Sequence, residues 1–491
     1  MTEPLVEYDA ADGAVTIIVS SDQLANFPKF INDHVIKKKI GYEEGFCKVR
    51  ITDASDTTLE TLVQFCSQSL ATVSDDDEHP LHTQKFFYGS KVDDVFGFKT
   101  DVFSKLQLKR FIEKLSDPTS YQNVSTCCIQ ALNISLDEFE NHIWEEIRCV
   151  SSPGCAVRRV KNVKGLVEAA ALRKHEFYFD EDNKCSSNEQ KIEHPETHNC
   201  RKKSKKEAIL YASGIPVKTT TFPITEHFNM SELRTILDMY PHPVPGLSCS
   251  YMYVGKNHSG FSWHIEDAAL FSANYHHYGA PSIWYFVAPK DYSKFVNCMK
   301  YFPLDLGHVT CNNVLGHKYV IASKGYLGKF GIPVKTVIQQ EKELIITYPF
   351  AAHMGFKTGW CITEAINFAD PFWVEPAIFS PKCSCLGDFQ INLDLKEIIA
   401  LTNPSLLPLY LDLDYLGLAK VLKGNKFLCD LGVLPQLPPE TSAYTETVKI
   451  NNNNENESDN ENDSNMDLGA SKSEEEPLRK ETPPQRSSCL L

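Results

Sequence analysis

Apolar residues recur along this chain in two different periods. Near the N-terminus, SSDQLANFPKFINDHVIKKK sets Leu24, Phe27, Ile31 and Val35 three to four residues apart, the interval of one helical face. Ser20, followed three residues on by Gln23, can form a capping box and marks the expected helix start. The strand-like segment CKVRI comes next. SLDEFENHIWEEIRC then repeats the helical pattern, with Ser135 and Glu138 as cap partners and Phe139, Ile143 and Ile147 on one face. From Ser248 onward the period shortens. SYMYVG, SIWYFVAP, KYVIAS, ELIITYPF and CITEAINFA are short aromatic-rich runs separated by Gly, Pro, Asn and Asp, which predicts antiparallel strands in a compact barrel or jelly roll.

Two polar stretches interrupt these patterns. Residues 148–206, with EDNKCSSNEQKIEHPETHNC and RKKSKK, are expected to form a flexible polar insertion. Its basic cluster, Arg201, Lys202, Lys203, Lys205 and Lys206, reads as a solvated loop, or as a nuclear address or phosphate contact. Residues 441–491 are acidic and nearly free of apolar side chains, so they are expected to form a disordered tail. Cys489 stands third from the end, one place off the prenylation pattern, and no lipid anchor is expected.

Composition narrows the classes further. The 491 residues suffice for roughly two to four domains. No apolar run is long enough to cross a membrane, and MTEPLVEYDAADGAV lacks the marks of a secretory signal. The 16 cysteines are therefore expected as reduced thiols or metal ligands, and the sequons at Asn123, Asn133, Asn229 and Asn257 as chance matches, in a cytosolic or nuclear protein. A net charge of -15 argues against DNA binding over the whole surface but suits a basic peptide.

Candidate chemistry sits on the strand-rich half. His264 and Glu266 are two residues apart, so on a strand both point to one face. About two His-x-acid pairs are expected by chance in such a composition, and His194-Pro-Glu196 is another, but it falls in the polar insertion. His353, at the end of ELIITYPFAAH, supplies a second imidazole. Two histidines and one carboxylate are the set expected for non-heme iron(II) with open positions; the alternative is a pair of core histidines bonded to backbone. Cys311, His317, Cys383 and Cys385 offer three thiolates and an imidazole, the donor set of a closed zinc site.

These residues resemble the Jumonji C oxygenases, most closely the fourth subfamily of histone lysine demethylases, which carry a JmjN and a JmjC domain. GLSCSYMYVGKNHSGFSWHIEDAALFSANYHHYGAPSIWYFVAP and FGIPVKTVIQQEKELIITYPFAAHMGFKTGWCITEAINFADPFWVEPAIFSPKCSC carry the likeness, and NFPKFINDHV is similar to JmjN. The resemblance implies a mostly β fold with α elements, a double-stranded β-helix (jelly-roll, cupin-like) core with a helical JmjN and a mixed linker region. It implies JmjN-like residues 13–55, a mixed α/β linker at 56–147, the insertion, a JmjC core at 207–371, a zinc-binding and helical extension at 372–440, and the tail.

Carried over by position, the iron triad falls on His264, Glu266 and His353, and the zinc site on Cys311, His317, Cys383 and Cys385. Tyr211 and Asn274 match polar contacts to 2-oxoglutarate, while Phe261, Thr347 and Trp284 match walls of its pocket. Gly246 and Tyr253 match groups around a methylated amine, with Asn367 beside them, and Ala365 and Ile366 match a pair that varies among relatives. Without the resemblance, Tyr253 would read as a strand aromatic. The family pattern GxPK has a lysine for the far carboxylate of 2-oxoglutarate, whereas here Gly279-Ala280-Pro281 leads into Ser282. Ser282 can still donate one hydrogen bond, and Lys318 is a candidate to compensate. Ala212-Ser213 also departs from the family's Gly-Ala after Tyr211.

The implied function is an iron(II)- and 2-oxoglutarate-dependent dioxygenase that demethylates lysine 9 and/or lysine 36 of histone H3 and releases formaldehyde. Its setting would be nuclear, its partner the histone H3 tail or nucleosome, and it would act as a monomer without membrane or sequence-specific DNA contact. Ser282 keeps an alternative open: a chromatin-binding JmjC protein with impaired catalysis.

Overall fold

The computed structural model describes residues 3–54, 78–90, 94–107, 135–151, 209–216 and, with short internal gaps, 230–435. The basic cluster at 201–206, the tail, the sequons, Gly246 and Cys385 lie outside the described residues, as does the insertion beyond Ser151.

The N-terminal segment contributes strands β1 (Leu5–Tyr8), β2 (Val15–Val19) and β3 (Phe46–Ile51). Strands β4 (Glu78–Ser90), β5 (Val95–Gln107) and β6 (Ile209–Pro216) follow. The strand-rich half supplies β7 (Tyr251–Gly255), β8 (Gly260–His264), β9 (Phe271–Gly279), β10 (Ser282–Val287), β11 (Val320–Ala322), β12 (Lys335–Gln339), β13 (Glu343–Thr347), β14 (Ala352–Lys357) and β15 (Cys361–Phe368). Among the described residues they form an 11-stranded sheet, ordered β1-β2-β3-β13-β9-β15-β7-β6-β4-β5-β11, and a 4-stranded sheet, β12-β10-β14-β8. All pairings are antiparallel except β2 with β3. The layer β13-β9-β15-β7 and the four-stranded sheet are the two walls of a jelly roll. Ile345 of the first wall, Trp284, Phe286 and Val337 of the second, and Ala14 and Phe46 of the N-terminal segment form one apolar cluster, with Phe261 against it. The outer faces bury a larger apolar core that includes Trp263, Tyr285, Phe356 and Ile366.

The N-terminal helix expected from the 3.6 period is instead three short pieces. They are a 3-10 turn at Ser21–Leu24, an α turn at Phe27–Phe30 and a π turn at Ile31–Ile36. Asn26 caps the middle piece by accepting from Lys29 N, and Pro28 in its first turn has no N–H to continue the preceding turn. The Ser20–Gln23 capping box is present, and Leu24, Phe27, Ile31 and Val35 are all buried. The second expected helix spans Leu136–Ser151 and lies on the outside of β10, where Trp144 Nε1 donates to the Tyr285 hydroxyl at 2.9 Å.

A buried ion cluster joins the N-terminal strands to the barrel. Lys48 Nζ lies 2.8 Å from Asp9, 2.9 Å from Asp12 and 3.9 Å from Glu343, and it donates to Ile338 O. Arg50 reaches Asp9 and Glu343 from the cluster's partly exposed side. Four short helices, Lys396–Thr402, Leu407–Leu411, Tyr415–Leu422 and Lys426–Leu431, follow the barrel.

Candidate active site

A one-residue irregularity in the β8–β14 pairing sets the inner face of the four-stranded sheet. His353 pairs with His264, yet Gly355 pairs with Phe261, so Ser262 and Trp263 stand opposite Met354 alone. A bulge of this kind changes which face a side chain takes. Phe261 and His264, an odd number of residues apart, therefore both meet the barrel interior, with rings 5.8 Å apart and edge to face. Between them, Trp263 turns to the outer core and donates Nε1 to Ala322 O.

His264, Glu266 and His353 converge, with one ligand atom from each lying within 4.8 Å of the others. His353 Nε2 is 3.4 Å from Glu266 Oε1, and the imidazole centroids are 4.3 Å apart. Glu266 lies two residues past the end of β8 in extended backbone, at the start of the 3-10 turn Asp267–Ala269, so the two-residue spacing still aims both ligands to one side. Each imidazole is oriented by the backbone. His264 Nδ1 lies 2.7 Å from Ser262 O and His353 Nδ1 2.9 Å from Ala351 O. Donation through Nδ1 leaves both Nε2 lone pairs for an ion, the usual orientation of metal-binding histidines. Burial and the neighbouring His353 hold His264 neutral, while the surrounding imidazoles and Lys318 oppose burial and keep Glu266 ionised. Asn367 Nδ2 donates to Glu266 Oε2 at 3.0 Å and to Phe271 O, so this residue steadies the carboxylate. Two imidazoles and one carboxylate on one side of an ion suit iron(II) with open positions.

The other expected site residues separate by face. Phe261 and Trp284 rings lie 4.6 Å apart beside the triad, with Trp284 5.9 Å from His353. Trp284 Nε1 donates to Gln339 Oε1, and Gln339 Nε2 donates to Asn274 Oδ1 at 3.2 Å, a chain that fixes the Asn274 amide. Thr347 is fully buried and shares a 2.6 Å hydrogen bond with Ser272. Tyr253 and Tyr211 rings are 6.2 Å apart and stacked, and burial raises both phenol pKa values, so both remain protonated. Along β15, Ile366 packs into the outer apolar core, whereas alternation puts Ala365 and Asn367 on the opposite face.

Ser282 stands directly across from Lys357 in the β10–β14 register. Lys357 Nζ donates to Ser282 Oγ at 3.0 Å and to Thr363 Oγ1 at 3.3 Å. So Ser282 accepts from a cation, where its sequence position suggests only a neutral donor. Lys318, the other candidate to compensate, acts electrostatically on His264 and Glu266. Sequence reasoning missed Lys357. Its only signal was the even spacing from His353, which puts both on one face of β14.

The second donor set is also assembled. Cys311, His317 and Cys383 offer ligand atoms within 4.8 Å of one another. Cys311 and Cys383 Sγ are 3.6 Å apart, and Cys383 Sγ is 3.5 Å from His317 Nε2. A tetrahedron with Zn–S bonds of about 2.3 Å has edges of about 3.8 Å, so these separations fit one zinc ion and are far too long for a disulfide. Asn313 N donates to Cys311 Sγ at 3.3 Å, a contact that favours the thiolate.

Comparison with known proteins converges on the same region. Residues 251–368 match the family model described as JmjC domain, hydroxylase. The chain is 32% identical over 184 residues to the probable lysine-specific demethylase 4F of Homo sapiens, covering 37% of this chain and 28% of that protein. It is 32% identical over 185 residues to lysine-specific demethylase 4D of Rattus norvegicus, covering 37% and 36% of the two chains. With lysine-specific demethylase 4B of Mus musculus the identity is 33% over 182 residues, 36% of this chain and 16% of that protein. The likeness thus spans about a third or less of each relative's length. The JmjC match includes His264, Glu266, His353, Ser282 and Lys357; residues 13–55 lie outside it.

Proposed function

We propose that this chain is an iron(II)- and 2-oxoglutarate-dependent oxygenase that removes methyl groups from lysine 9 and/or lysine 36 of histone H3 in the nucleus. The observation that carries this reading is the convergence of His264, Glu266 and His353, with both Nδ1 atoms tied to backbone so that Nε2 of each ring is the atom left to ligate. Bound there, iron(II) and 2-oxoglutarate would supply oxygen activation, for hydroxylation of an N-methyl group and loss of formaldehyde. The protein's share is orientation and dryness. Asn367 and the two backbone carbonyls hold the three ligands, and Phe261, Trp284 and Phe286 keep water from the inner face. Tyr253, kept as a phenol beside Glu266, offers an aromatic face and an oxygen to a methylated ammonium. The zinc site on Cys311, His317 and Cys383, with Cys385 as fourth ligand, would tie the loop before β11 to the segment after the barrel. The chain's net charge of -15 suits a basic histone tail.

A second reading, chromatin binding without turnover, rests on Ser282 in place of a lysine. The Lys357 ammonium at the same level of the barrel weakens it. The test is to incubate the full chain with iron(II), 2-oxoglutarate, ascorbate and trimethylated histone H3 peptides, following peptide mass and succinate. Stepwise loss of methyl groups, abolished by His264→Ala, is expected; no turnover at saturating cosubstrate would favour the binding protein. Metal analysis should find one zinc that Cys311→Ser removes.

A further inference from the structure

Lys357 is 4% exposed, and no carboxylate pairs with it among the described residues. Its neighbours are neutral: the Ser282 and Thr363 hydroxyls and the Cys361 thiol, whose own pKa burial raises. An ammonium taken out of water without a counter-ion is costly, and proteins rarely keep one unless an anion joins it. The fold makes room for this side chain specifically. A Cβ on Gly255 would lie 2.7 Å from Lys357 Cγ, so glycine is what lets the lysine stem cross β7. Tyr211 is the β6 partner of that same Gly255, which brings its phenol to this level of the barrel.

Position supplies the second half of the case. On β14, His353, Gly355 and Lys357 share a face, opposite Phe286, Trp284 and Ser282 of β10. The lysine therefore stands on the same inner wall as the metal ligands, about 13 Å along the strand by the usual rise. A histidine ring, a short dicarboxylate and a lysine stem together cover such an interval. We propose that Lys357 is the anchor for the far carboxylate of 2-oxoglutarate, the cation having moved across one strand pair from position 282 to position 357. Ser282 then becomes a positioning residue that holds the ammonium inward. This inference rests on the oxygenase reading above and specifies how that site takes its cosubstrate.

Calorimetric titration of the full chain, loaded with manganese(II) so that no turnover occurs, separates the two ideas. The ligands are 2-oxoglutarate and 2-oxobutyrate, which share the 2-oxo acid head and differ in the far carboxylate. The unmodified protein should prefer 2-oxoglutarate by about ten- to a hundredfold, the scale of a charge-assisted contact. Lys357→Met should abolish that preference and leave 2-oxobutyrate binding unchanged, which a general loss of structure would not do. Lys357→Gln gives the same readout if methionine is not tolerated. A preference that survives in both variants overturns the role of Lys357 alone. If the unmodified protein binds neither acid, the oxygenase reading itself falls.

Discussion

Lys48 and Lys357 are both buried, at 1% and 4% exposure, but in opposite electrostatic settings. Lys48 joins the N-terminal strands to the barrel among Asp9, Asp12 and Glu343, and these carboxylates raise its pKa despite burial. Lys357 has hydroxyls and a thiol around it, and burial lowers its pKa. A cation that serves the fold is neutralised by the chain itself. One left without an anion marks where the fold has conceded stability to a ligand.

The sharpest way to break this contrast is to delete each charge. Lys48→Met strands three buried carboxylates and should cost about 3–5 kcal/mol in denaturant unfolding. Gly255→Ala should cost about 1–3 kcal/mol, because the new Cβ meets Ser259 Oγ at 2.6 Å and the Lys357 stem at 2.7 Å. Truncating the stem in the double variant Gly255→Ala/Lys357→Ala should recover part of that loss. Lys357→Met should raise the stability of the ligand-free protein by about 1–2 kcal/mol, since it removes an uncompensated charge. A loss of several kcal/mol there would show that Lys357 is structural after all.

The smallest effect is a pH dependence of opposite sign at the two sites. For Lys48, whose folded pKa lies above 10.5, the stabilisation is present below 10.5 and disappears only at higher pH. For Lys357, whose folded pKa lies below 10.5, the destabilisation is present at neutral pH and fades as pH rises through that lowered value toward 10.5. Unfolding of the parent and each methionine variant, followed from pH 7 upward, should show the Lys357 difference shrinking first.

Much of the barrel was legible because several strands carry runs of apolar and aromatic residues: YMYVG, SIWYFV, ELIIT and CITEAINF are all strands in the structure. The strands that were not picked out, GFSWH, FSANYHHYG, KTVIQ and AHMGFK, carry the polar residues of the inner face, and those residues break the two-residue alternation. The candidate metal ligands His264, Glu266 and His353 could be found from residue type and spacing, and they do converge. The Ser20 and Ser135 caps were legible from local pairs, whereas the break at Pro28 was outvoted by the apolar period around it. Lys357 could not be found, since its meaning depends on Ser282 being its cross-strand partner, 75 residues away.

The extra residue in β8 has a consequence for how this sequence can drift. It acts as a change of parity between the wall aromatic Phe261 and the ligand His264. Removing one residue between them would leave the two rings two apart in a regular pairing and still on one face, whereas a regular pairing that kept all the residues would turn one of the two rings into the apolar shell. Drift that irons out the bulge while keeping every residue therefore costs the inner face a wall or a histidine, although neither side chain has changed.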